Sequence, residues 1–104
     1  MTQWEIWKGT PAGMEREHWL VLISSPARIA RSERINGLVC FTLRGQLLPT
    51  DVYLDEAEGF DGPTAVPCDV MFLLFKSHLK DRIGYVSAER QLQIRAKVKD
   101  FFRL

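Results

Sequence analysis

Two side chains near the middle of the chain have the types and spacing to meet a polyanion. In the run GLVCFTLRGQLLPTDVYL, from Gly37 to Leu54, the hydroxyl of Thr42 is followed two residues later by the guanidinium of Arg44. A hydroxyl can hydrogen-bond a phosphate oxygen, and a guanidinium adds charge-assisted, bidentate bonds to the same group. Thr42 equally reads as an ordinary strand residue and Arg44 as a solvated loop charge. A second basic group, Arg28, Arg31 and Arg34, lies in ARIARSERIN between Ala27 and Asn36, whereas Asp51, Asp55, Glu56, Glu58 and Asp61 form an acidic stretch. Charge is therefore unevenly placed although the formal net charge is only +1. So small a total argues against strong sequence-independent polyanion binding, which needs many phosphate contacts, but leaves room for a local basic groove.

Other chemistries find no support in the pattern. Cys40, Cys68, His18 and His78 are dispersed, without the spacing of a zinc site. The glycines are isolated, so no loop cradles a phosphate, and Ser24 and Ser25 stand at a strand exit with no nucleophile elbow. No metal and no cofactor is expected. Both cysteines fall in apolar runs and read as buried, inert thiols.

The elements that must carry these side chains follow from periodicity and breakers. Trp4 to Lys8 reads as a short strand with Trp4 and Ile6 on one face and Glu5 and Trp7 on the other. GTPAG, from Gly9 to Gly13, is turn chemistry, and Trp19 to Ile23 is a continuous apolar run, the mark of a strand buried on both faces. Ala27 to Asn36 builds no clean apolar stripe and reads as a mobile connection with one helical turn at most. Leu38 to Thr42 is a strand with Leu38, Cys40 and Thr42 on one face; Thr50 to Asp55 is a second, and the pair is expected to form an antiparallel hairpin. Thr64 to Val70 is a strand whose Pro67 predicts an edge or an irregularity. MFLLF, from Met71 to Phe75, is densely apolar, Lys76 to Asp81 a polar turn, and Ile83 to Val86 a last short strand.

Ser87 is a good N-cap for a closing helix, with Glu89 in its first turn and Lys97, Lys99 and Arg103 towards its end. Ile94, Val98, Phe101 and Phe102 fall at i, i+4, i+7 and i+8, a stripe expected to pack against the sheet. The 104 residues, 46% hydrophobic and 26% charged, suit one soluble α+β domain spanning 1–104. Short antiparallel strands closed by one helix predict a small barrel. No leader and no apolar run long enough for a bilayer is seen, so no membrane association and a reducing, cytoplasmic setting are expected.

VCFTLRGQLLPTDVYL resembles the MazF/PemK-type toxins, which place an apolar strand ending in Thr before a short basic loop and a Leu-Pro-Thr-like strand start. WEIW at Trp4–Trp7 is similar to the family's first strand, and HWLVLISSP at His18–Pro26 to its second. PTAVPCDV at Pro63–Val70 and VSAERQLQIRAKVKDFF at Val86–Phe102 resemble its later strand and C-terminal helix. The resemblance covers nearly the whole chain in order and implies an SH3-like antiparallel β-barrel with a C-terminal α-helix. It further implies a homodimer, held inactive by an antitoxin whose extended acidic segment lies along the substrate groove. The implied activity is metal-independent cleavage of single-stranded RNA, leaving a 2′,3′-cyclic phosphate and a 5′-hydroxyl.

The family's catalytic Thr falls on Thr42. Its strand-leading Arg falls on Glu17 or His18 depending on register, with Arg16 beside them, so Arg16, His18 and Thr42 are the implied cleavage residues. Arg28, Arg31, Arg34 and Arg44 are the implied RNA-binding residues. The chain departs from the family where Gln, a basic residue and Asp are usual: Val70, Phe72 and Phe75 stand there. Two alternatives remain. A CcdB-like barrel of the same fold binds DNA gyrase through the end of its last helix, for which Phe101, Phe102 and Leu104 are an apolar ending; a degenerate barrel would only bind RNA or protein.

Overall fold

The computed structural model of the chain describes residues 1–103. Seven strands run in the order β1 (Glu5–Gly9), β2 (His18–Leu22), β3 (Arg34–Thr42), β4 (Asp51–Leu54), β5 (Thr64–Pro67), β6 (Phe72–Phe75) and β7 (Leu79–Tyr85). Helix α1 (Pro26–Arg31) joins β2 to β3, and α2 (Ala88–Phe102) closes the chain. Every pairing is antiparallel, in the order β4-β5-β3-β2-β1-β7, with β6 also on β3. The expected α+β class holds. The sheet curls around a core in barrel fashion, but its two ends, β4 and β7, do not pair with each other. Among the described residues no helix is long and apolar enough to cross a membrane.

The organising strand is β3, nine residues where the sequence suggested the five from Leu38 to Thr42. Its first half, Arg34 to Gly37, pairs with β6; its last two residues pair with β5; Gly37 to Cys40 pair with β2 on the other edge. Gly37 is required where the three strands meet. A Cβ there would stand 2.5 Å from Leu74 Cδ1 and 2.8 Å from the Val21 carbonyl oxygen.

The expected hairpin of Leu38–Thr42 with Thr50–Asp55 does not form. β5 lies between β3 and β4, and the hairpin is β4 with β5, Val52 opposite Val66. The reason is burial: Thr64, Ala65 and Val66 are all buried and need neighbours on both edges. Pro67 sits at the end of β5, beyond its short pairing with β3, so its missing N–H breaks no ladder there.

Two apolar clusters lie on the two faces of the sheet. Ile6, Val21, Leu38, Leu54, Val66 and Ile94 belong to the one under α2. Leu20, Leu22, Val39, Ile35 and Leu74 form the second, capped by Ile29 of α1. This explains the unbroken apolar run of β2, each of whose faces meets a different core. The expected mobile connection is instead a capped helix. Ser25 Oγ accepts from the Arg28 N–H at 3.2 Å and Pro26 starts the first turn. Its single buried residue, Ile29, left no stripe to read.

α2 begins at the expected cap position, although the Ser87 hydroxyl makes no capping bond; instead the Ser87 N–H donates to Glu58 Oε2 at 3.3 Å. Ile94 is buried and Val98 half-buried, but Phe101 and Phe102 are each 41% exposed, so the last turn of the stripe does not pack as expected. Leu104 lies outside the described residues.

Besides Ile94, a polar network anchors the start of α2. Glu58, 1% exposed, closes a 3-10 turn (Glu56–Glu58) as half of a capping box with Asp55. Arg90 Nη1 donates to Glu58 Oε1 at 2.6 Å and to Asp55 Oδ1 at 2.8 Å, and its guanidinium lies 5.2 Å from the Tyr53 ring centroid. The Arg90 hydrogen bond holds the Asp55 carboxyl below its ordinary 3.8. Arg90→Met strands a buried carboxylate, and unfolding by urea is expected to show a loss of about 3–5 kcal/mol at neutral pH. Because Asp55 is depressed in the fold, its share of stability is complete above pH 3.8 and fades as acid titrates it below that value. That acid-side decline is expected to be shallower in the variant.

Candidate functional site

Thr42 is the last residue of β3, and its side chain is exposed on the face shared with Cys40 and Leu38. Beside it opens a groove of about 380 Å³ lined by Trp19, Phe60, Asp61, Pro63 and Thr64. The groove wall is tied to the strand end: the Leu43 N–H donates to the Pro63 carbonyl at 3.0 Å, and Thr64 Oγ1 to the Gly62 carbonyl at 3.1 Å. Cys40, also on this side, is no nucleophile, because burial and the neighbouring Cys68 push its thiol far up. Burial likewise pushes the Cys68 thiol up to about 12.

Trp19 faces the same side, opposite Cys40 in the β2–β3 register. Lys8 Nζ stands 5.5 Å from its ring centroid, a cation–π distance. Just before β2, Glu17 gathers two lysines, with Oε2 2.8 Å from Lys80 Nζ and Oε1 3.8 Å from Lys8 Nζ. The hydrogen bond from Lys80, reinforced by its charge and by Lys8, holds Glu17 below the ordinary 4.5, and the same contact raises Lys80. The partners of Glu17 are thus lysines from β1 and β7, not Arg16.

The other expected residues divide into two groups. His18 begins β2 with its ring edge-on to Phe41, 5.8 Å between centroids, on the strand face opposite Trp19 and Thr42. Arg16, in the loop before β2, and Arg44, just beyond β3, are both exposed, and neither has a hydrogen-bond or ion-pair partner among the described residues. These four side chains therefore share one end of the β2–β3 pair. Arg28, Arg31 and Arg34 occupy the other end: Arg28 Nε donates to the Arg34 carbonyl at 3.3 Å. At roughly 3.3 Å per residue, the nine-residue strand separates Arg34 from Thr42 by about 26 Å. Within the chain they do not belong to one site. Phe72 and Phe75 are half-buried in β6, Phe72 against the second core.

Sequence reasoning passed over Lys8, Lys80, Trp19 and Asp61. Lys8 and Trp19 are joined only by strand register, their pairing across β1 and β2, which needs the strand order first; Lys80 and Asp61 carry no signal in residue order.

Over its full length the chain superposes on an endoribonuclease from a mycobacterial species in complex with its cognate antitoxin, with a TM-score of 0.86 and 19% identity, covering 96% of that chain. The fold is that of the MazF toxins. MazF-mt6 of Mycobacterium tuberculosis matches 96% of the chain and 97% of its own at a TM-score of 0.82 and 20% identity. MazF of Deinococcus radiodurans matches all of it, and 97% of its own chain, at 0.82 and 13%. No family model and no curated protein matches by sequence.

Lys80→Ala removes the main hydrogen bond on Glu17. Side-chain carboxyl NMR is expected to show the Glu17 titration moving up towards 4.5, with little change in Asp55.

Proposed function

We propose that the chain is the toxin of a toxin–antitoxin pair, an endoribonuclease that cuts single-stranded RNA. The observation that carries the reading is an exposed Thr42 hydroxyl beside a groove, with free arginines on both flanking loops, in a fold shared end to end with MazF endoribonucleases. In the cleavage step a ribose 2′-oxygen forms a bond to the adjacent phosphorus and the bond to the 5′-oxygen breaks. The 2′-hydroxyl proton goes to a base, and the leaving oxygen takes a proton from an acid. Thr42 hydrogen-bonds a non-bridging oxygen, Arg16 and Arg44 balance the charge that builds on the phosphorane, and His18, whose imidazole can both give and take a proton, exchanges it. Arg28, Arg31 and Arg34 hold RNA further along its path.

The working unit is a homodimer in the cytoplasm. Trp7, Phe72 and Leu79, half-buried on the second sheet face, are side chains a second copy would cover. An antitoxin with an extended acidic segment is the partner, in keeping with the mycobacterial endoribonuclease bound to its cognate antitoxin. Purified protein is expected to cleave mixed-sequence single-stranded RNA in EDTA, leaving 5′-hydroxyl ends. Thr42→Ala and Arg16→Ala are each expected to slow it by about 10²–10³-fold. Intact RNA after prolonged incubation overturns the reading.

One observation favours a second reading, in which the barrel binds a protein target as CcdB does. Phe101 and Phe102 are each 41% exposed at the end of α2. Inhibition of gyrase supercoiling, abolished by Phe101→Ser with Phe102→Ser while RNA stays intact, would establish it.

A further inference from the structure

The groove beside Thr42 has a composition that a phosphate-binding role does not explain. Aromatic residues line it: Phe60 is 8% exposed, and Trp19 is half-buried with Lys8 above its ring. Its rim is rich in acceptors. Asp61 is exposed and has no hydrogen-bond or ion-pair partner among the described residues. Pro63 has no N–H to offer, and the carbonyls of Gly62 and Pro63 already accept from Thr64 and Leu43. A free carboxylate repels a phosphate but accepts N–H donors, so a flat, donor-bearing group suits this groove.

Resting on the RNA-cleaving reading above, we propose that the groove seats one unpaired guanine of the substrate. The base packs against Trp19, and the Asp61 carboxylate accepts from its N1–H and N2–H₂. Single-stranded RNA is read in this manner, by aromatic contact with a splayed base and hydrogen bonds to its Watson–Crick edge. Guanine is the base with two adjacent donors on that edge, matching the two oxygens of a carboxylate. Adenine and cytosine set one donor beside an acceptor, and uracil sets one donor between two acceptors. The volume of about 380 Å³ lies at the small end of ligand sites, the scale of a nucleoside rather than an oligonucleotide. Because the groove touches Thr42, the base it holds belongs to a nucleotide next to the cut phosphate.

Two measurements test the assignment separately from the cleavage reading. The first titrates guanosine, adenosine, cytidine and uridine 5′-monophosphates into wild type and Asp61→Asn, following the Trp19 indole N–H by NMR. Guanosine monophosphate is expected to bind tightest to wild type and to lose roughly 5–150-fold in Asp61→Asn, the span of one bidentate base contact. Asp61 is exposed and unpartnered, so this variant keeps the fold. The second sequences the 5′-hydroxyl ends from mixed single-stranded RNA, where guanine is expected at one fixed position beside the cut in wild type and depleted in Asp61→Asn. Equal guanosine monophosphate binding by both proteins, or none by either, overturns the assignment. So does tighter binding of N-acetylarginine amide than of any nucleotide, which would make the groove a seat for a basic peptide. RNA left uncut while guanosine monophosphate binds through Asp61 removes the nuclease reading and keeps the groove. RNA cut without base preference does the reverse.

Discussion

A carboxylate with almost no access to water, Glu58, holds this molecule together. Burying it is costly unless its oxygens are paired, and here they are: Arg90 and the Asp55 and Ser87 amides converge on it. The arrangement welds three separate pieces, the turn after β4, the start of α2 and the end of β7, into one joint. Backbone packing is so close there that a Cβ on Gly84 would lie 1.7 Å from the Glu58 carbonyl oxygen, and Gly59 turns with φ of 102° against Ile83. Neither glycine tolerates a side chain while the carboxylate stays in place.

The joint matters beyond stability because one wall of the groove grows out of it. Phe60, Asp61 and Pro63, the next residues along the chain, form that wall beside Thr42. The other wall, Trp19 and Cys40, comes from β2 and β3, which are fixed by two cores on opposite faces of one sheet. A loop rooted in a buried ion pair thus faces a strand pair rooted in apolar packing. Both roots are rigid, which is what a site needs if it is to hold groups to within fractions of an ångström.

Electrostatics at this end of the molecule are local rather than global. The net charge is +1, yet Glu17 draws lysines from two other strands, one of them over the Trp19 ring, while Arg16 and Arg44 remain unpaired among the described residues. An acidic side chain at the start of β2 therefore concentrates positive charge around itself. Asp61, on the loop side of the groove, gathers none among the described residues.

Much of the local structure was legible in residue order. Alternation placed Ile6 opposite Glu5 and Trp7, the unbroken apolar run marked β2 as buried on both faces, and Ser87 marked the start of α2; these patterns are local, and local sterics and burial enforce them, whereas Trp4, expected inside the first strand, precedes β1 with φ of 74° and reaches the core of Ile6 from there. Thr42 at a strand end beside Arg44 was legible for the same reason. What the order of residues left undecided was pairing. β5 comes between β3 and β4, α1 forms on one buried isoleucine and a serine cap, and Phe101 and Phe102 extend past the body that would bury them. Lys8 reaches Trp19, and both lysines reach Glu17, only after β1, β2 and β7 are side by side; Arg28, Arg31 and Arg34 are carried away from Thr42 by the length of β3. Such contacts join residues far apart in the chain, and only the packing of the whole sheet determines which of them meet.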